Sequence, residues 1–425
     1  MSFIDAVLEP IPVPRVIRIR QSFERPLLAD VADALADQLD DRGALVRVQP
    51  GMRIAITAGS RGVTNYALVL KVLVDKLKQK GAQPFIFPAM GSHGGATPEG
   101  QLHVLEGLGV TEESVNAPIL SSMETVQVGT ASNGLPVHVD KLAREADGII
   151  VVNRIKPHVG FRGDYESGLV KMIAIGLGKQ RGAEICHQYG FGVMEENMIA
   201  LATECLRNCR ILFAVGLLEN AYHETCRVEV IDSNDILAAE PALQAEAKTL
   251  LPKLHFNPLD VMVLDEIGKN ISGTGFDNNV LGRFHTPFVK PGPDTQRITR
   301  IAALDLSAET HGNGNGLGIL DFTTRRAFDK FDFEQTYPNS LTSTVPLSVK
   351  IPMVLSTDRQ AIQAAIKTCN IADIRQVRLA RVKNTLGIDE MEISENLLPE
   401  ARSHELVEVL SDPYELPFDE HGNLF

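Results

Sequence analysis

Lys171 lies inside the apolar run LVKMIAIGLG, between Leu169, Val170, Met172 and Ile173. A lysine with such neighbours must snorkel to water, pair with a carboxylate or be used chemically. Desolvation lowers its pKa and makes the amine a nucleophile; the plainer reading is a residue on an exposed edge. Two histidines frame it. His158 sits in KPHVGF, where Lys156 and Pro157 make a positive, stiff turn, and a solvated loop is its plain alternative. His187 follows Cys186 in GAEICHQYG, and both a metal ligand and a satisfied core histidine stay open for it. Further upstream, His93 lies in GSHGG. Its flanking glycines let backbone or ligand approach closely, although a surface histidine capping the next helix fits equally. These histidine spacings match no standard zinc motif. A metal site would have to be assembled from distant segments or carried by a cofactor.

Strands feeding polar loops must position these residues. GIIVV before His158, PFIFP before His93 and RIAIT before Arg61 are short apolar runs of strand character. Helical patterns follow, in residues 27–41, in NYALVLKVLVDKLKQKG with Gly81 at its end, and in TPEGQLHVLEGLG with Thr97 as N-cap and Pro98 at the first helical position. Strand, polar loop and helix in repetition predict an α/β fold with a partly parallel sheet. Ligands then sit outside the carboxyl ends of the strands. Residues 1–25 read as an extended arm, with PIPVP favouring polyproline-like backbone. Two α/β domains are expected, a larger one over residues 1–254 and a smaller one over 255–425, the first strand of the smaller following PKLHFNPLD.

Two glycine-rich stretches need a reading. IGLGKQRG spaces its glycines as G-x-G-x-x-x-G rather than as a dinucleotide fingerprint, and is a false lead on spacing. HGNGNGLG, residues 311–318, is a better candidate for a backbone nest around a phosphate or ribose, or else a plain loop.

The chain has 425 residues, 44% hydrophobic and 22% charged, enough for a sizeable core without disulfides or metals. Its net charge of −13 speaks against nonspecific nucleic-acid or anionic-membrane binding. No apolar run is long enough to span a bilayer, and the N-terminus lacks a signal-peptide layout. Five cysteines, an odd number without zinc-ribbon spacing, fit a reducing, cytoplasmic setting.

In order, GSHGG, KPH, SGLVK and His187 resemble the motif series of nickel-pincer lactate racemases and their relatives: a G-[ST]-H loop, a P-H loop after a strand, an S-G-x-x-K segment, and a histidine beyond that lysine. Lys171 to His187 is 16 residues, the family's spacing. The resemblance covers at least residues 50–190. It implies two domains with the active site in the cleft between them. It implies a pyridinium-3-thioamide-5-thiocarboxylate mononucleotide tethered to Lys171, with Ni held by the cofactor's two sulfurs and a ring carbon and by His187. It implies His93 and His158 as paired general bases and Arg61 as the cation on the substrate carboxylate. The substrate would be a 2-hydroxy acid inverted at its α-carbon by proton-coupled hydride transfer. The cofactor-synthesis enzymes would be transient partners, with nucleic acid and membrane excluded and the oligomeric state open.

The chain departs from the family in places. The family's D-x-T-R reads Ala58-Gly59-Ser60-Arg61, three extra residues fall in GFRGDYES, and a tyrosine and a lysine near the family's substrate become Leu281 and His285. These changes point away from lactate and towards a larger acid, such as a sugar acid, with Arg162, Lys269, Arg283 and His285 as candidate contacts. Two other readings compete. A nicotinamide-dependent 2-hydroxyacid dehydrogenase would need one base and leave Lys171 unmodified. A noncatalytic nickel-cofactor-binding protein would keep Lys171 and His187 without turnover.

Overall fold

A computed structural model describes residues 3–287, 289 and 295–425. The chain divides into two compact units. One is Glu24–Leu251; the other joins the residues up to Phe23 to Pro252–Phe425. The mixed α/β class expected from the repeated strand–loop–helix pattern is present in both.

The unit Glu24–Leu251 is built on a five-stranded sheet in the order Gln83–Pro88, Arg53–Ala58, Gly148–Arg154, Ile211–Glu219, Thr225–Asp232. The first four strands run parallel, and the last is antiparallel. Central strands are buried almost end to end, as in Ile211–Glu219. That is why they read as continuous apolar runs and not as alternating ones. Helices Val31–Asp41 and Tyr66–Gln79 supply Leu35, Leu39, Leu70, Leu73 and Leu77 to the core on one face. The Thr97 hydroxyl accepts from Gly100 N at 3.0 Å, with Pro98 next to it, so the expected start signal is the real one.

Because the three chemistry-bearing strands are parallel neighbours, their loops leave the same edge of the sheet. The pairing of Arg53–Ala58 with Gly148–Arg154 ends at Ile56 and Ile150. Beyond it the Thr57 hydroxyl takes over the ladder, accepting from Val152 N at 2.8 Å. The Leu169–Lys171 turn packs at this point. Asn153 Nδ2 donates to Gly168 O at 2.7 Å, and a Cβ on Gly59 would come within 3.3 Å of Met172 Cε.

The second unit holds an eight-stranded sheet among the described residues. Met353–Leu355, Phe322–Thr324, Ile298–Ala303, Leu259–Leu264 and Leu379–Val382 run parallel. Glu390–Ser394, Val16–Gln21 and Val407–Val409 continue it antiparallel. The N-terminal assignment therefore needs correction. Residues 1–25 were expected to be an extended arm of the first domain. Instead the segment contains a helix, Phe3–Leu8, and a strand, Val16–Gln21, whose Val16, Ile17 and Ile19 are buried. A strand with unpaired edges must find a sheet, and the alternation VIRIRQ matches the two-faced pairing offered by Glu390–Ser394. Along the chain the two units meet again between Leu251 and Pro252. The tail is docked within its own unit, with Tyr414 N donating to Val16 O at 2.9 Å and Leu424 N to Asp358 Oδ2 at 2.8 Å.

The Gly/Asn-rich stretch 311–318 is a packing device and not a nest. Gly314 N donates to Thr336 Oγ1, Asn315 N to Asn313 Oδ1 and Gly316 N to Ser348 O. One of these N–H groups is spent within the stretch and two on Thr336 and Ser348 from farther along the chain. A Cβ on Gly314 would lie 2.3 Å from the Phe331 ring, which explains the glycine.

Candidate active site

After Gly168 the backbone makes one α turn, Leu169–Lys171, then a π turn, Met172–Gly176, then helix Lys179–His187. A π turn is an uncommon device that concentrates at functional sites. Here it directly follows Lys171. Lys171 is half-buried, and makes no hydrogen bond or ion pair among the described residues. Burial, with Arg61 and Lys156 nearby, lowers its pKa from 10.5 to about 8. Roughly a tenth of the amine is thus free at pH 7, far more than for an ordinary lysine, and the free amine is the nucleophilic form.

His187 closes the helix. Its Nδ1 is buried without a hydrogen-bond partner. Burial, and Lys171 after it, hold the imidazole neutral with a pKa of about 4. A neutral imidazole is the form that ligates a metal. Cys186 beside it is a poor thiolate source, since burial pushes its thiol up to about 12. Among the described residues no three His, Cys, Asp or Glu side chains gather as a metal site, so His187 stands as a single donor.

His158 belongs to the same electrostatic neighbourhood. Burial lowers its pKa well below 6.5, helped by Lys171, His187, Arg162 and Lys156. Its ring lies 4.5 Å from Phe161 and 6.0 Å from Phe191, and Phe191 meets His187 edge-on at 5.3 Å. Phe191 thus touches both imidazoles, a wall that reading by motif did not pick out. Glu166, fully buried, holds the loop: it accepts from His158 N at 2.7 Å and pairs with Lys248 at 2.9 Å. Arg162 is engaged in the same brace, donating to His158 O at 2.6 Å. Arg61 is half-buried. Desolvation, with Arg154 nearby, lowers its guanidinium to about 10.

His93 is on the loop after Gln83–Pro88. Its Nδ1 lies 2.6 Å from Met90 O. The loop is tied to the His187 helix through Lys179, which is fully buried and has left-handed backbone, φ +53°. Lys179 Nζ reaches Gln101 Oε1 at 3.1 Å and Asp140 Oδ2 at 3.2 Å. Gln101 Nε2 in turn donates to Gly91 O at 2.9 Å and His93 O at 3.2 Å. This explains GLGK without a dinucleotide: a Cβ on Gly178 would lie 2.7 Å from Gly182 Cα, so the glycines serve close packing.

The structure therefore joins Lys171, His158, His187 and Arg61 in one electrostatic neighbourhood, with His93 on a loop from the same sheet edge. His285 lies in the other unit, buried, its Nδ1 3.1 Å from Asn278 Nδ2, and burial lowers it to about 4. Leu281 is a core residue there, and Arg283 donates to Thr299 O at 2.8 Å and to Asp321 Oδ2 at 2.9 Å. Lys269 is partly exposed, its backbone N donating to Thr310 Oγ1 at 2.9 Å. Two site-bracing residues escaped the sequence reading, Glu240 and Lys179. Ile236, Glu240, Leu243, Gln244 and Ala247 are the buried positions of helix Ile236–Thr249. Two polar residues on an otherwise apolar helical stripe were the signal available.

The α/β sheet thus places a low-pKa lysine in reach of neutral histidines at its carboxyl edge. Residues 16–198 match the family model described as lactate racemase N-terminal domain. That region is thus similar to the N-terminal domain of lactate racemases. The fold resembles the lactate racemase apoprotein from Thermoanaerobacterium thermosaccharolyticum, with a TM-score of 0.50, 15% identity, and coverage of 88% of this chain and 96% of that one. A protein from Thermotoga maritima aligns with a TM-score of 0.48 and 12% identity, over 80% of this chain and 84% of that one. No curated protein matches the sequence. No helix among the described residues is long and apolar enough to cross a membrane.

Proposed function

We propose that the chain is an isomerase, a racemase or epimerase that inverts the α-carbon of a 2-hydroxy acid other than lactate. The observation that carries this reading is Lys171: an amine of pKa about 8 without hydrogen bond or ion pair, next to a π turn and in the electrostatic reach of His187. The residues fit the nickel-pincer nucleotide. Lys171 offers the amine for the thioamide tether, and His187 offers a neutral imidazole whose buried Nδ1 has no partner. When bound, the group supplies a hydride acceptor and donor, and a tetragonal site for Ni(II).

The chain's own residues do the rest. Arg61 holds the substrate carboxylate by a charge-assisted contact. His93 and His158 handle the hydroxyl proton. Phe161 and Phe191 shield the imidazoles from water. Ala58 in place of the family's aspartate, and the brace of Arg162 around the His158 loop, reshape the pocket and favour a larger or more polar acid. The five free cysteines suit a reducing, cytoplasmic setting.

The test is peptide mass spectrometry across Lys171 together with nickel analysis, on protein produced alongside the cofactor-making enzymes. An adduct on Lys171 with bound nickel is expected, and a chiral screen of hydroxy acids then finds the substrate. His187→Ala should keep the adduct and lose nickel. An unmodified Lys171 without nickel under those conditions would overturn the reading in favour of a dehydrogenase.

A further inference from the structure

Helix Phe333–Ser343, in the unit that ends at Phe425, has its sides reversed. Its buried positions are Thr336 and Ser340, both polar. Thr336 Oγ1 accepts from Gly314 N at 3.0 Å, and Ser340 Oγ donates to Val345 O at 2.9 Å. Asn339 Oδ1 accepts from Asn313 Nδ2 at 2.8 Å. The apolar stripe of the same helix, Phe333, Tyr337 and Leu341 at spacings of four, is exposed, Leu341 to 78%. A helix on a folded unit ordinarily buries such a stripe and turns its polar side outward.

The chain after the helix continues in the same character. The turn Pro346–Val349 packs on the helix and carries exposed Leu347. Exposed Ile351 and Met353 follow. Met353–Leu355 is an end strand of the eight-stranded sheet among the described residues. Met353 N donates to Asp321 O at 3.2 Å, so the alternation of the ladder turns the N–H and C=O of Val354 to the open edge. From Gln335 to Val349 the sequence holds no Asp, Glu, Lys, Arg or His. Aromatic side chains in a stretch depleted of charge are the compositional mark of an interface core.

We propose that residues 333–355 bind a second copy of this chain, in a closed dimer about a two-fold axis. Two Met353–Leu355 strands pair antiparallel across the axis, which gives Val354 of each copy a hydrogen-bonding partner and leaves no open edge there. Charge argues for a second copy over a basic partner. Each chain carries −13, so two copies repel over most of their surface and meet where charge is missing. A basic partner would be drawn to the acidic surface instead. The area is sufficient. Taking about 200 Å² for a whole side chain of this size, the six apolar residues expose roughly 600 Å² per copy. That is most of the roughly 800 Å² that each partner gives to a standard interface, and exposed Pro338 and Thr344 add to it.

Sedimentation velocity of the full chain from about 0.5 to 100 µM tests the proposal. The mass should rise with concentration from 46.4 kDa to twice that value. Leu341→Asp puts a charge into the stripe without touching the core, and should weaken the dimer at least about tenfold. Val46→Asp, at an equally exposed apolar position of the other unit, should leave it unchanged. Hydrogen exchange at the Val354 amide should slow at least about tenfold as the dimer forms. A monomer at every concentration, or a Leu341→Asp dimer as tight as wild type, would overturn the proposal. Growth past two copies would replace the closed pair by head-to-tail contacts, and unchanged exchange at Val354 within a dimer would remove the strand pairing; either result rejects this geometry.

Discussion

Glu240 offers a sharp test of how the Lys171 turn is held. Its carboxylate is fully buried and accepts from Val170 N at 2.7 Å, with Leu169 N also bonded to it. Its other oxygen, Oε1, has no partner, and fills the space a Cβ on Gly168 would need, at 2.2 Å. Burial outweighs the two N–H groups and raises the pKa from 4.5 to about 7. The folded state therefore keeps this proton where the unfolded chain has lost it. Its contribution to stability is fully present below about pH 4.5 and lost as pH rises through about 7. A shift of this size corresponds to on the order of 3 kcal/mol, at about 1.4 kcal/mol per pKa unit. Most of it should vanish between pH 5 and pH 8. His187 pulls the other way, since its folded pKa of about 4 makes the fold lose stability as pH falls below 6.5. The quantity to read is thus the difference between wild type and Glu240→Gln, which keeps a carbonyl acceptor for the turn and cannot titrate. Urea unfolding at the two pH values should show the wild type losing roughly 2–3 kcal/mol more than the variant over that interval. Parallel pH dependences, within about 0.5 kcal/mol, would refute the reasoning.

Three other outcomes follow from the same geometry. Lys179→Met leaves the fully buried Asp140 without its countercharge and should cost about 3–5 kcal/mol by urea unfolding; the double variant with Asp140→Asn should recover most of it, and a single variant within about 1 kcal/mol of wild type would dismiss the brace. Acetylation of Lys171, followed by peptide mass spectrometry in the unloaded chain, should have its midpoint near pH 8, and Arg61→Gln should raise it because Arg61 helps to lower that amine; a midpoint near the ordinary lysine value in wild type contradicts the buried-amine picture. Gly316→Ala meets both a left-handed φ of +111° and a carbonyl of Thr274 at 2.0 Å, and should destabilise by at least about 1–3 kcal/mol in thermal unfolding; an unchanged Tm would argue against the packing role given to the glycine-rich loop.

Local sequence carried much of the site. Lys171 is unusual because its neighbours are apolar, and that is a property of consecutive residues. His93 and His158 follow apolar runs that can only be buried strands, so their place at strand ends was readable from the pattern, as was the Thr97-Pro98 helix start. What local pattern cannot hold is the partner from far along the chain. Val16–Gln21 reads as an arm until Glu390–Ser394, more than 350 residues later, offers it a sheet edge. The stretch 311–318 reads as a nest until Thr336 and Ser348 take its N–H groups. Glu240 and Lys179 look like ordinary surface charges until folding buries them against the Leu169–Lys171 turn and the His93 loop.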